Sequence, residues 1–237
     1  MTAGPFDHIL NWRLLAGSHA FPGPDGGTCI NEAAIVAAGL PYKAITAIED
    51  CPPCFSRPLA AYALGLNDAM PEGERPRLMA FVLRLSGTAD APGIEASRTT
   101  FLAVESVRRI LPPLLDRAGL PALAVRCEAS SGTAEALAAA RTAESQGAVL
   151  AQAASSRRAW VQGARLAAVA RTATAAVKAF GDARCAAEVA EGAAPFVDGI
   201  WPTAVGLLDE ALAIGRQAPE IDLLRARDRL DAARAAA

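Results

Sequence analysis

A long alanine-rich run constrains this chain most: AEALAAARTAESQGAVLAQAASSRRAWVQGARLAAVARTATAAVKAF, residues 134–180. Alanine is the strongest helix former, and its small side chain lets helices approach closely. Larger apolar side chains recur in the run at helical spacing: Trp160, Leu166, Val169, Val177 and Phe180. This spacing favours packed helices over a disordered tail.

The rest of the chain supports the same fold class. Hydrophobic residues make up 52% of the sequence and aromatic residues only 5%, so the core must be built from small aliphatic side chains. We predict a mainly α fold, with an irregular loop-plus-helix unit over 1–90 that continues into an alanine-rich helical bundle over 91–237. The predicted helices cover 6–16, 29–38, a segment opened by FSRP near residue 57, 73–85, 94–117, 120–128, 132–153, 154–190, 195–214 and 219–235. Only 42–48 alternates well enough to predict a short strand.

In the bundle, the helices after residue 130 are predicted to pack antiparallel through their alanine faces. Trp160, Phe180 and Trp201 are the large side chains that we expect to anchor this packing.

The charge balance excludes one class of function. Residues 1–118 carry 10 basic and 12 acidic side chains, and residues 119–237 carry 13 of each. Neither half is a broad basic surface, so extensive nucleic-acid binding is not expected. The sequence shows neither a secretory pattern nor an apolar run long enough to span a membrane, and its five cysteines are predicted to be reduced thiols in the cytoplasm.

The strongest local chemistry lies in the loop GPDGGTC, which delivers Cys29 to the start of a helix. Unpaired backbone N–H groups at a helix start favour a negative charge, and a thiolate there has a lowered pKa. His19 lies ten residues upstream and is the candidate base for a catalytic pair with Cys29. The alternative is a buried structural cysteine.

Polar residues around the loop form a candidate binding site. Asp25 is suited to an Asx turn into Gly26 and Gly27, and Glu32 is placed for a capping box with Thr28. The predicted binding residues are Asp25, Gly26, Gly27, Asn31, Glu32 and Arg57. We expect residues 23–32 to form the rim of a pocket, with Arg57 paired to Asp25, Glu49 or Asp50.

The CPPC motif adds a metal hypothesis. Cys51 and Cys54 have the two-residue gap of a metal knuckle, and with His19 and Cys29 they make a Cys₃His set suited to structural zinc. A single CxxC is a weak signal. A redox role is the lesser alternative, because the βαβ context that it needs is missing.

Three blocks carry a resemblance to a known group of sequences: GSHAFPGPDGGTCINEAAIVAAG, DCPPCFSRPLAAYALGLNDAM and LMAFVLRLSGTAD. Together they resemble an uncharacterised family of bacterial and phage-encoded proteins that has an alanine-rich helical tail. The resemblance implies a bacterial or phage setting, but no activity, cofactor or catalytic residue.

Two classes of function follow from the sequence. The first is a cytoplasmic binding or interaction protein with a helical scaffold, whose partner is another protein or a second copy of the chain. The second is a small cysteine-dependent enzyme that acts through Cys29. The shortage of histidines and the long helical tail favour the first.

Overall fold

The structure is a computed structural model that describes residues 13–19, 27–178 and 182–222, together with 224 and 228. The predicted fold class is confirmed, because the chain is 65% helical and no β-strand forms among the described residues. The chain divides into two compact units. The first unit comprises 1–95 and 212–237, and the second comprises 96–211.

The first unit contains short helices separated by irregular segments. Helix α1 spans Ile30–Ala37 and α2 spans Arg57–Ala69, and 3₁₀-helices cover Ile48–Asp50 and Arg75–Phe81. Helix α2 packs against α1 and both 3₁₀-helices. Every residue of α1 is buried, so α1 is the central helix of this unit.

Several sequence predictions in this unit are wrong. Residues 42–48 form no strand, and 75–81 form a 3₁₀-helix instead of an α-helix over 73–85. Residues 13–16 of the predicted helix 6–16 are not helical, because Leu14 pairs with Thr28 in a parallel β-bridge. The part of that prediction before residue 13 lies outside the described residues.

Most of the second unit consists of longer helices. The described helices from residue 92 onwards are α3 (Pro92–Arg109), α4 (Leu111–Arg117), α5 (Pro121–Glu128), α6 (Thr133–Gln152), α7 (Arg157–Val177), α8 (Ala183–Ala193) and α9 (Ile200–Leu212). The predicted helix 94–117 is interrupted at Ile110, where two prolines follow at Pro112 and Pro113. The predicted helix 154–190 is also wrong, because α7 ends at Val177 and α8 begins at Ala183.

Helices α6 and α7 form an antiparallel hairpin with unusually close backbones. A Cβ atom added at Gly147 would lie 2.5 Å from the backbone nitrogen of Ala167, and one added at Gly163 would lie 2.5 Å from that of Ala151. These pairs run in opposite directions along the two helices, so the hairpin packs through glycine and alanine, as predicted for this run.

The predicted aromatic anchors are partly wrong. Trp160 is 56% exposed and lies near the start of α7, so it does not anchor the packing. Trp201 is half-buried. Phe180 lies outside the described residues.

The segment after Leu212 belongs to the first unit, whereas the sequence analysis assigned all of 91–237 to the bundle. The ring of Pro219 lies against Gly87, which has a φ of +82° and leaves no room for a Cβ atom. The Arg216 N–H donates a 2.6 Å hydrogen bond to Asp90 Oδ2. These contacts explain why the late segment groups with residues near 90.

None of the helices in the described ranges is both long enough and apolar enough to cross a membrane.

Candidate functional site

The predicted loop site begins with a short pairing between two irregular segments. The Leu15 N–H donates to the Thr28 carbonyl at 3.0 Å, and the Thr28 N–H donates to the Arg13 carbonyl at 3.2 Å. A Cβ atom at Gly27 would lie 2.1 Å from Leu15 Cδ1. A larger residue at this position would therefore displace the end of the Leu15 side chain, and Gly27 is not one of the described glycines with a positive φ.

Helix α1 starts with a capping box made by Cys29 and Glu32. Cys29 is the N-cap residue, and its Sγ atom accepts a hydrogen bond from the Glu32 N–H at 3.5 Å. In return, the Cys29 N–H donates to Glu32 Oε2 at 2.9 Å. The expected cap was Thr28, whose hydroxyl instead donates to the same Glu32 oxygen at 3.0 Å.

The Glu32 carboxylate is the centre of a buried hydrogen-bond network. Besides its bonds with Thr28 and Cys29, its Oε1 atom accepts hydrogen bonds from Ile45 N–H at 2.9 Å, Ser18 Oγ–H at 3.1 Å and His19 N–H at 3.3 Å. Glu32 itself is fully buried. One side chain thus joins three separate stretches of backbone, near residues 18, 29 and 45.

The network determines the ionisation of its members. Burial acts to raise the pKa of Glu32, but the hydrogen bonds donated by Ile45, Cys29, His19 and Thr28 outweigh it, so the pKa is lowered. Burial also raises the pKa of the Cys29 thiol far above its ordinary value, and the negative charge of Glu32 raises it further. Glu32 is therefore ionised at neutral pH, whereas Cys29 is a protonated thiol.

These findings correct the proposed chemistry of Cys29. We expected a helix start to lower the thiol pKa, but that effect is outweighed by full burial and by a carboxylate in the same capping box. The His19 Nδ1 atom lies 3.6 Å from Glu32 Oε2 and has no hydrogen-bond partner among the residues that the structure describes. A catalytic pair of Cys29 and His19 stays a prediction that this ionisation does not favour.

The other predicted binding residues hold the unit together. Asn31 Nδ2 donates to the Ala60 carbonyl at 3.0 Å, and Arg57 Nη1 donates to the carbonyls of Ile48 and Cys51, both at 2.7 Å. The expected pairing of Arg57 with an acidic side chain is not the contact observed. Asp25 and Gly26 lie outside the described residues.

The expected pocket rim is also corrected for the part of it that the structure describes. Residues 27–32 are all buried and face the interior of the first unit, because α1 is its central helix. Two further side chains, which the sequence analysis missed, strengthen this packing. Asn67 Nδ2 donates to the Leu15 carbonyl at 2.7 Å, and the Arg75 guanidinium donates to the carbonyls of Asn67 and Met70 at the end of α2.

The predicted zinc ligands are not brought together. Across the described ranges, no three His, Cys, Asp or Glu side chains are placed to hold a metal ion. Cys29 is engaged at the start of α1, and Cys54 Sγ lies 3.7 Å from Ser86 Oγ. A structural zinc site stays a prediction, and this arrangement of His19, Cys29, Cys51 and Cys54 does not support it.

The second unit contains a cavity that the sequence analysis did not predict. It has a volume of about 630 Å³, which is in the usual range for small-molecule sites. Its lining comes from the end of α4, the first turns of α7 and the turn after α8: Arg117, Arg157, Arg158, Val161, Gln162 and Phe196. Gln162 Nε2 donates a hydrogen bond to the Arg117 carbonyl, which joins α7 to α4.

The cavity combines positive charge with apolar surface. Arg117, Arg157 and Arg158 are exposed, and none of the described residues that line the cavity is acidic. The guanidinium of Arg165 lies over the Phe196 ring, 4.9 Å from its centroid, and so holds that ring in place. Sequence patterns alone predicted no site at Arg157 and Arg158. The signal that could have suggested a site is their position directly after Ser156, the N-cap of α7.

Comparison with protein families, curated proteins and solved structures finds no match to the chain.

Proposed function

We propose that this chain is a non-catalytic binding protein, in which the first unit is a structural unit and the second unit binds the ligand. The observation that carries the proposal is the cavity of about 630 Å³ at the start of α7, lined by three arginines and an aromatic ring. In contrast, the Cys29 thiol of the first unit is buried and accepts a hydrogen bond within the capping box that it forms with Glu32.

The alternative function, a small enzyme acting through Cys29, has less support. Such an enzyme needs an accessible thiolate, since the thiolate is the nucleophile. Cys29 is fully buried, and its pKa is raised by burial and by Glu32. We therefore favour binding over catalysis.

The setting and partners are part of the same proposal. All five cysteines are free thiols, which is typical of a reducing compartment and supports a cytoplasmic protein. A bacterial or phage origin rests on the resemblance of the three sequence blocks alone. The helical second unit is the scaffold that carries the cavity. A protein partner or a second copy of the chain stays a prediction, and size-exclusion chromatography with light scattering tests the second copy.

A cavity-filling variant tests the proposal. Equilibrium dialysis would measure binding of anilinonaphthalene sulfonate and of its neutral analogue phenylnaphthylamine to the native chain, to Val161→Trp and to Val149→Trp. Val161 lines the cavity, whereas Val149 is 52% exposed in α6 and serves as the matched control.

We expect the native chain and the control to bind at least one probe at a single site, and Val161→Trp to lose that binding while keeping its helical circular dichroism. The proposal fails if Val161→Trp binds as the native chain does, or if the native chain binds neither probe.

A further inference from the structure

We infer that the cavity of the second unit selects a small organic anion, with an apolar body and a carboxylate or phosphate group. This inference rests on the proposed function and adds the chemical class of the ligand.

The charge around the cavity comes from two different helices. Arg117 is the last residue of α4, while Arg157 and Arg158 are the first two residues of α7. None of the three has an acidic partner among the described residues, whereas Arg108, Arg109 and Arg171 of the same unit are each paired with a glutamate. Three uncompensated guanidinium groups around one cavity favour an anion.

The start of α7 adds to this preference. Ser156 caps the helix by accepting a hydrogen bond from the Ala159 N–H at 3.2 Å, and the other N–H groups of the first turn have no partner within the helix. The positive end of the helix dipole therefore lies on the same side as Arg157 and Arg158. The dipole and the arginines attract the same ligand group.

The apolar part of the lining indicates the rest of the ligand. Val161 and Phe196 contribute apolar surface, and the Phe196 ring is held by Arg165. An inorganic anion alone would leave this surface in contact with water, whereas an organic anion covers it. A volume of about 630 Å³ is far larger than a single phosphate needs, so the ligand has a body as well as a charge.

Charge-removing variants test the inference. The probes are anilinonaphthalene sulfonate, its neutral analogue phenylnaphthylamine and inorganic phosphate, measured by equilibrium dialysis on the full chain. The test variant is Arg157→Gln combined with Arg158→Gln. The control is Arg141→Gln, which removes an exposed arginine of α6 that is not among the lining residues. Naphthoate and naphthyl phosphate, added as competitors, distinguish a carboxylate from a phosphate as the preferred group.

We expect the double variant to bind the sulfonate at least about tenfold more weakly than the native chain, with unchanged binding of the neutral analogue. The control should bind as the native chain does, and inorganic phosphate should bind more weakly than naphthyl phosphate.

Equal affinity of the native chain for both fluorescent probes, unchanged in the double variant, would overturn the inference while leaving the proposed binding function intact. Loss of binding only in Val161→Trp would then identify an apolar site. If inorganic phosphate binds as tightly as naphthyl phosphate, the apolar body has no role and the inference is wrong.

Discussion

At the scale of single residues, the first unit depends on one buried carboxylate. Glu32 accepts hydrogen bonds from the backbone of His19, Cys29 and Ile45 and from the hydroxyls of Ser18 and Thr28. The segments that it joins have little regular structure of their own, so their backbone N–H groups need acceptors from elsewhere. A carboxylate is suited to this role, because its two oxygens accept several hydrogen bonds and donate none.

Replacing Glu32 with Gln tests this role. The amide keeps one acceptor oxygen and turns an NH₂ group toward the backbone donors, so we expect a loss of about 3–5 kcal/mol in the free energy of unfolding at pH 7. Urea denaturation of the native chain and the variant measures this loss in unfolding free energy. Glu135→Gln is the control, because Glu135 is an exposed carboxylate whose hydrogen bonds, within the described ranges, come from the nearby Ser131. We expect the melting temperature of this variant to stay near that of the native chain.

The unfolding free energies of the native chain and of Glu32→Gln should also depend differently on pH. Because the folded-state pKa of Glu32 is below its ordinary value, ionised Glu32 stabilises the fold above the unfolded-state pKa, which is about 4.3. That stabilisation is lost as the pH falls through the folded-state pKa. The difference in unfolding free energy between the native chain and Glu32→Gln should therefore shrink below about pH 4. A difference that stays constant from pH 7 to pH 3 would contradict the role assigned to this carboxylate.

At the scale of the elements, the α6–α7 hairpin depends on its two glycines. Glycine inside a helix ordinarily weakens it relative to alanine by about 0.5–1 kcal/mol. Here the added methyl group would meet the backbone of the facing helix at 2.5 Å, and backbone atoms cannot move aside as a flexible side chain can. We therefore expect Gly147→Ala to lower the free energy of unfolding by about 1–3 kcal/mol, as overpacking does.

Gly206 provides the matched control for this prediction. It lies inside α9, and a Cβ atom there would have no neighbour within 4 Å. Gly206→Ala should raise the free energy of unfolding by about 0.5–1 kcal/mol. If thermal melts show that both variants are stabilised, the close approach of α6 and α7 is absent in solution.

Sequence patterns predicted that the chain is helical but not where each helix ends. Helix α6 ends within one residue of the predicted 132–153 on both sides, because alanine-rich sequence and helical packing favour the same conformation. The predicted helices 94–117 and 154–190 are instead each divided into two helices. The segment 42–48 was predicted to be a strand. Its backbone instead donates to side chains such as Glu32, and strand propensity contains no information about such long-range hydrogen bonds. The break after Ile110 had a visible cause in Pro112 and Pro113, but the apolar periodicity on both sides concealed it.

The candidate site was predicted less well, for a physical reason. A glycine-rich loop before a cysteine has the same local sequence whether the helix start is exposed or buried. Only the tertiary structure shows that α1 is the central helix of its unit. Conversely, Arg117 and Arg157 are forty residues apart in the sequence, and nothing local indicates that α4 and α7 bring them to one cavity.

At the scale of the whole molecule, the proposed binding site lies in the second unit, whereas the Cys29 and Glu32 network lies in the first. The net charge of −2 gives no hint of an anion site, and the second half of the chain is neutral by count. The positive charge of the cavity arises from the placement of three arginines, while other arginines of the same unit are paired with glutamates. In the first unit, the buried hydrogen bonds around Glu32 explain why a cysteine and a carboxylate lie at the start of α1.

Cys29 is assigned a structural role at the start of α1, and alkylation of the native chain tests that role most directly. Iodoacetamide labelling at pH 8, followed for each cysteine by mass spectrometry, compares Cys29 with Cys54 and Cys185, which are half-buried. We predict that Cys29 is labelled at least about tenfold more slowly than either, and that it reacts readily only after unfolding in guanidinium chloride. If Cys29 in the native chain is instead labelled faster than Cys127 and Cys185, it is an accessible nucleophile. That result would contradict the structural role and favour the cysteine-dependent enzyme.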